Sequence, residues 1–192
     1  MAETLSTFEL KFADKAPAFA LPDAWGKVFS LSDCAGENGT LVVFVCNHCP
    51  YVIHLADPLG KMAKDLAEKG VKTVAINSND LEKYPQDGPE PMKEFSRQYG
   101  WDFPYLVDES QEVAKAYGAA CTPDFFLFDE TGGLAYAGQF DNTRPKSGEP
   151  ATGAELRKAV DAMLAGDSVE AGVPSSGCNI KWKPGNEPKW FA

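Results

Sequence analysis

Two cysteines separated by two residues follow an unbroken apolar run, residues 41–45, and form the segment Cys46-Asn47-His48-Cys49-Pro50. Because every residue of the run is apolar, we expect a strand that is covered on both faces of a parallel or mixed sheet. Apolar residues then recur with a period near 3.6 over residues 51–69, which predicts a helix. The sequence therefore places two thiols between a central strand and a helix N-terminus.

The rest of the chain alternates between strand and helix patterns. Residues 40–76 are predicted to form a strand–helix–strand unit, in which Pro58 is expected to kink or interrupt the helix. A short strand is predicted near residues 8–12. The other predicted elements are a hairpin from 17–22 and 27–31, a loop at 84–91, helices at 92–99, 111–117 and 153–165, a strand at 105–107, and a hairpin from 125–128 and 134–137.

Length and composition indicate one domain with appendages, since 192 residues with 44% hydrophobic content can build one core. We predict an N-terminal arm (1–10), a domain (11–166) and a C-terminal tail (167–192) that docks on the domain, because the tail is too apolar for a free linker.

The net charge of −10, with scattered lysines and no basic patch, argues against binding to nucleic acid or to an anionic membrane surface. The N-terminus does not resemble a secretory signal, and no apolar segment approaches the length of a membrane span. Five cysteines are an odd number and too few for a disulfide framework in this chain. We therefore expect a cytoplasmic protein.

The paired cysteines have the spacing of a reversible disulfide. A helix N-terminus favours a thiolate, so we expect an exposed Cys46 with a lowered pKa to be the nucleophile and Cys49 to be the resolving thiol. His48 supplies a further cationic or hydrogen-bonding neighbour, and Pro50 opens the helix. A structural zinc site needs four ligands, and no second pair of ligands follows; Cys46 and Cys49 with His48 or His54 remain an alternative site for copper or zinc.

The chain resembles the thioredoxin superfamily, and within it the redoxin or peroxiredoxin-like group related to alkyl hydroperoxide reductases and thiol-specific antioxidants. The resemblance rests on residues 16–23, 46–52, 122–127 and 177–182. It implies an α/β thioredoxin-like fold, with a central mixed sheet flanked by helices, an N-terminal β-hairpin extension and the docked tail. It also implies a cis peptide between Thr122 and Pro123, which faces the dithiol and binds an extended substrate.

Two departures from the family pattern bear on function. Thioredoxins carry Trp and a buried Asp where this chain has Val45 and Thr40, so the base that assists Cys49 is unidentified. Counting back from Cys49, Cys46 takes the place of the threonine of peroxiredoxins, which favours dithiol exchange over peroxide reduction. Cys121 precedes Thr122 directly, and we hypothesise that it pairs with Cys178 or that the two form a redox relay to Cys46; two buried free thiols are the alternative.

The sequence thus predicts a thiol–disulfide oxidoreductase that works through a mixed disulfide without a cofactor or a metal. Its partners would be a disulfide substrate, protein or small molecule, and a thiol electron donor. A thiol-dependent peroxidase and a copper- or zinc-binding chaperone are the alternatives.

Overall fold

A computed structural model describes residues 3–191; the first two residues of the predicted arm and the last residue of the predicted tail lie outside this range. The strands are β1 (Glu3–Leu5), β2 (Ala20–Pro22), β3 (Val28–Ser30), β4 (Gly39–Phe44), β5 (Val71–Asn77), β6 (Tyr105–Val107), β7 (Cys121–Thr122), β8 (Asp124–Asp129), β9 (Leu134–Gly138) and β10 (Ser176–Asn179). The helices are α1 (Leu31–Cys34), α2 (Pro50–Glu68), α3 (Pro89–Tyr99), α4 (Glu112–Tyr117) and α5 (Ala154–Ala165).

The central sheet has five strands in the order β6-β5-β4-β8-β9. Strands β4, β5 and β6 are parallel, whereas β8 and β9 are antiparallel to their neighbours. The predicted strand–helix–strand unit is therefore β4-α2-β5, with β4 in the middle of the sheet. The predicted mixed sheet is confirmed.

Both faces of β4 are covered, as its unbroken apolar run predicts. Leu41, Val43 and Val45 pack into one core with residues of α2, α3 and α5. Val42 and Phe44 pack into a second core with residues of α4, the β2–β3 hairpin and the tail. Side chains alternate along a strand, so a strand between two cores must be apolar at every position.

One local prediction is wrong, and a second is wrong in part. No strand forms over residues 8–12; the N-terminal strand is β1, which begins five residues earlier, and Phe8 has a positive φ of 54°. Pro58 does not interrupt α2, which runs without a break from Pro50 to Glu68; the kink expected as the other possibility stays a prediction. Proline removes one backbone hydrogen bond from a helix, and the buried apolar stripe on both sides of Pro58 holds this helix together.

The tail lies on the domain, as predicted, but part of it is a regular strand. β10 is the middle strand of a second sheet, β1-β10-β7. Beyond β10, Ile180 and Trp182 are buried in the second core. The tail therefore connects the N-terminal arm to β7, the strand that precedes Pro123.

No helix among residues 3–191 is both long enough and apolar enough to cross a membrane.

Candidate active site

The Cys46–Cys49 segment connects the end of β4 to the start of α2. Cys49 is the N-cap residue of the helix, and Pro50 occupies the first turn, where its missing N–H costs no hydrogen bond. Cys46 and Cys49 are 1% and 0% exposed. The expectation that Cys46 would be exposed is therefore wrong.

Thr122 faces both sulfurs. Its hydroxyl lies 3.5 Å from the Cys46 sulfur, and its carbonyl oxygen accepts a hydrogen bond of 3.0 Å from the Cys49 thiol. The peptide between Thr122 and Pro123 is cis, as the resemblance implied. The structure thus brings Thr122, with the cis peptide to Pro123, against the predicted thiol pair.

A third thiol completes this group. Cys178 in β10 is 3% exposed and packs in the same core as Cys46 and Cys49. Hydrogen bonding from the Cys178 and Cys46 thiols lowers the pKa of Cys49. The interaction with Cys49 in turn raises the pKa of Cys178. Cys49 therefore lies between two thiol neighbours.

The thiolate is favoured at Cys49 rather than at Cys46. Its hydrogen bond with Cys49, its burial and the charge of Asp87 all raise the pKa of Cys46 well above its ordinary value. The helix N-terminus favours negative charge on Cys49, its N-cap residue. The prediction of a lowered pKa at Cys46 is wrong, because the hydrogen bond with Cys49, the burial of the thiol and the charge of Asp87 all oppose the effect of the helix N-terminus.

Asp87 is the buried acid of the site, and sequence reasoning missed it. It is fully buried at the end of a short 3₁₀ turn (Pro85–Asp87) in the loop that the proline content predicted. One carboxylate oxygen accepts the backbone N–H groups of Asn47 and His48 at 2.8 and 3.3 Å. The other accepts the side-chain amide of Asn79 at 2.9 Å. Asp87 therefore fixes the backbone between the two cysteines.

His48 contacts Asp87 directly, and its Nδ1 lies 2.7 Å from the carboxylate. Its ring also stacks on Tyr84, with centroids 5.6 Å apart and planes 3° from parallel. The structure places His48 near Cys46 and against Asp87, and its expected support of the thiolate stays a prediction. No sequence signal distinguishes Asp87 or Tyr84 from other residues of a surface loop.

The predicted ligands of a metal ion are only partly together. Ligand atoms of Cys46, His48 and Asp87 lie within 4.8 Å of one another. His54 instead makes a hydrogen bond of 2.9 Å to the hydroxyl of Thr143. The Asp87 oxygens already accept four hydrogen bonds, which fits a support for the loop better than a set of free ligands.

Cys121 and Cys178 do not contact each other as hypothesised. In the β7–β10 pair, Cys178 stands opposite Thr122, whereas Cys121 stands opposite Asn179. Successive side chains point to opposite faces of a strand, so Cys121 and Cys178 lie on different faces. The Cys121 thiol approaches the carbonyl oxygens of Pro123 and Ser175 instead, at 3.6 and 3.8 Å. The predicted pairing is corrected: the neighbour of Cys178 is Cys49.

This arrangement of strand, thiol pair, helix and cis-proline strand agrees with comparisons to known proteins. The chain belongs to the AhpC/TSA family. The model of that family matches residues 12–137. The match covers β2 to most of β9 and includes the thiol pair and Thr122.

Three known proteins are similar to this chain in sequence or in fold. The crystal structure of an uncharacterised conserved protein from Geobacillus kaustophilus matches this chain with a TM-score of 0.92 and a sequence identity of 49%. The match covers 96% of this chain and 98% of that one. The thiol-disulfide oxidoreductase ResA of Bacillus thuringiensis is 27% identical over 124 residues, which are 65% of this chain and 67% of ResA. The thioredoxin domain of a thiol-disulfide oxidoreductase from Bacteroides vulgatus shares the fold, with a TM-score of 0.60 at 20% identity over 79% of this chain and 99% of that one. The thioredoxin-like fold is confirmed.

Proposed function

We propose that this protein is a thiol–disulfide oxidoreductase whose redox couple is Cys46 and Cys49. The observation that carries the proposal is the position of the Cys49 sulfur, which lies at the N-terminus of α2, against Thr122 and next to two thiols. A stabilised thiolate with a second thiol beside it is what disulfide exchange needs. The similarity to ResA, a thiol-disulfide oxidoreductase by name, supports the same activity.

In the proposed reaction, the two electrons that reduce the substrate disulfide come from the Cys46–Cys49 couple. The Cys49 thiolate attacks one sulfur of a substrate disulfide, and the first substrate thiolate leaves as the mixed disulfide forms. The Cys46 thiol then loses its proton to the departing thiolate and attacks the Cys49 sulfur, which releases the second substrate thiolate. The second substrate thiolate takes a proton from the solvent, to which Cys49 had lost its own. The substrate is thereby reduced to two thiols, and the couple becomes a disulfide that a thiol donor reduces.

The order of attack differs from the order predicted for the two cysteines. Cys49 is proposed as the attacking sulfur because its pKa is lowered while that of Cys46 is raised. Thr122 is proposed to position the reacting atoms, because its hydroxyl contacts the Cys46 sulfur and its carbonyl oxygen contacts the Cys49 sulfur.

Burial of the sulfurs restricts the substrate. The strand edge at Thr122, where an extended substrate was expected, is paired with β10 of the same chain. A small disulfide is therefore the favoured substrate class, since a protein substrate would have to displace the tail.

The test compares reduction of glutathione disulfide and of insulin by the wild-type protein, Cys46→Ser, Cys49→Ser and the buried control Cys34→Ser. We expect both redox-couple variants to lose activity and Cys34→Ser to keep it, with glutathione disulfide the better substrate. Equal activity in the wild type and Cys49→Ser would refute the proposal.

A thiol-dependent peroxidase with antioxidant activity is the second candidate, because a covered thiolate suits a small oxidant. The Cys49 thiolate would cleave the O–O bond of a peroxide to give a sulfenic acid, and a neighbouring thiol would condense with it to release water. Consumption of hydrogen peroxide in the presence of an added thiol donor distinguishes this activity from disulfide exchange.

A cytoplasmic location is also proposed. All five cysteines are free thiols, which suits a reducing compartment. Cell fractionation with a tagged full-length chain tests this location.

A further inference from the structure

The tail strand β10 lies on the thiol pair through a close backbone contact. Gly177 packs against Thr122 so tightly that a Cβ atom at this position would lie 2.0 Å from the Thr122 carbonyl oxygen. The glycine thus lets β10 approach the same carbonyl that accepts the Cys49 thiol. A larger residue would hold the tail away from the sulfurs.

The next residue, Cys178, points its side chain toward the reacting atoms. It stands directly opposite Thr122 in the antiparallel pair, and opposite residues place their side chains on the same face. The Thr122 hydroxyl on that face lies 3.5 Å from Cys46. Cys178 is accordingly buried in one core with Cys46 and Cys49.

We propose that Cys178 is a second resolving thiol for Cys49, so that a disulfide substrate converts part of the protein to a form with a Cys49–Cys178 disulfide. This inference rests on the proposed function, because Cys49 must first form a mixed disulfide. In the oxidised form, the bond ties the tail strand to the N-terminus of α2. Cys46 is then free as a thiol.

The step balances without a further oxidant. After a substrate thiolate has left, Cys49 carries the mixed disulfide. The Cys178 thiol gives its proton to that thiolate and attacks the Cys49 sulfur, and the second substrate thiolate departs. Two protein thiols are oxidised while one substrate disulfide is reduced to two thiols. The same product also forms by exchange, when Cys178 attacks the Cys49 sulfur of a Cys46–Cys49 disulfide and Cys46 leaves as a thiolate.

The experiment treats the reduced full-length chain with glutathione disulfide, blocks free thiols with an alkylating reagent and maps the disulfides by mass spectrometry. Cys46→Ser isolates the proposed route, because Cys178 is then the only resolving thiol beside Cys49. We expect a Cys49–Cys178 linkage in this variant. In Cys46→Ser/Cys178→Ser, we expect a glutathione adduct on Cys49 that persists about 100-fold longer, since an adjacent thiol acts as an intramolecular reagent. Cys34→Ser, a buried cysteine away from the site, serves as the control and is expected to match the wild type.

The outcomes separate this inference from the proposed function. A stable adduct on Cys49 in Cys46→Ser, without the Cys49–Cys178 linkage, would overturn the role of Cys178 and leave the Cys46–Cys49 couple intact. Absence of any disulfide or adduct at Cys49 in the wild type would overturn both. Cys178→Ala provides a second variant if Cys178→Ser does not fold, and it is expected to form only the Cys46–Cys49 disulfide.

Discussion

The carboxylate of Asp87 lies 2.7 Å from Nδ1 of His48 and also accepts the backbone N–H of that same residue. One buried acid therefore holds both the ring and the backbone of the residue between the two cysteines. Its negative charge is also one reason why the pKa of Cys46 is raised, after the hydrogen bond with Cys49 and burial. Asp87 thus acts on both the shape and the charge of the site.

We predict that Asp87→Asn destabilises the protein by about 2–4 kcal/mol, because one carboxylate oxygen is replaced by an amide that faces hydrogen-bond donors in a buried position. Chemical unfolding of the reduced protein measures this change. Glu82→Gln, an exposed acid in the same loop region, is the control and should change the free energy of unfolding little. Removing the charge of Asp87 should also lower the pKa of Cys46. We expect this pKa, measured from the rate of alkylation against pH, to be lower in Asp87→Asn/Cys49→Ala than in Cys49→Ala.

Ultraviolet absorbance of the thiolate tests which cysteine carries the charge. We expect the wild-type protein to show thiolate absorbance near neutral pH, since the pKa of Cys49 is lowered by the Cys178 and Cys46 thiols. Cys49→Ser should lose this signal. Cys46→Ser should retain it, with the titration moved to higher pH because one thiol donor has been removed. Loss of the signal in Cys46→Ser and its retention in Cys49→Ser would restore the order of attack that the sequence suggested.

The elements around the thiol pair could be predicted because local patterns determine them. The apolar run of β4 and the 3.6-residue period of α2 each show, within one segment of sequence, which faces of that element are buried. The same holds for Pro50 at the helix start. The cis peptide before Pro123 followed from the resemblance and not from the spacing of residues.

The support of the site could not be predicted because it depends on distant parts of the chain. Asp87 reaches the Asn47 backbone from 40 positions away, and no periodicity marks a single acid in a proline-rich loop. Cys178 was singled out, but its partner depends on the register of β10 against β7. A shift of one residue in that register would turn Cys178 to the other face, toward the side of Cys121.

The close contact at Gly177 predicts how the tail controls access to the thiols. Gly177→Ala places a Cβ atom 2.0 Å from the Thr122 carbonyl, so β10 must move, and we expect a loss of about 1–3 kcal/mol in stability. Alkylation of Cys49 should become faster.

Gly185→Ala is the matched control in the same tail: the φ of Gly185 is +81°, but a Cβ atom there meets open space. It should cost about 1–2 kcal/mol from backbone strain and leave the rate of alkylation unchanged. Equal alkylation rates in both variants would contradict the covering role of β10.

Asp124, fully buried directly after Pro123, connects the two terminal segments to the site. Its carboxylate accepts the hydroxyl of Ser6 at 2.6 Å, and the Ser6 oxygen in turn accepts the backbone N–H of Ser175 at 3.0 Å. Burial raises the pKa of Asp124 from 3.8 to about 7, against the opposing effect of these hydrogen bonds. The folded protein therefore keeps a proton on Asp124 over a pH range in which the unfolded chain has lost it.

This difference predicts a dependence of stability on pH with a definite sign. Because the folded-state pKa lies above the unfolded one, the folded state binds more protons between the two values, and stability falls as pH rises from 3.8 to about 7. At about 1.4 kcal/mol per pKa unit, the full decrease is about 4 kcal/mol. Asp124→Asn cannot titrate, so the free energy of unfolding of the wild type, minus that of the variant, should fall by this amount over the interval and stay constant above it. Asp129→Asn is the control: burial raises the pKa of Asp129, but hydrogen bonds from Thr131 and Gly133 together outweigh burial and lower the pKa, which places its titration below the interval. A difference between wild type and Asp124→Asn that does not change with pH would show that Asp124 is ionised throughout in the folded protein.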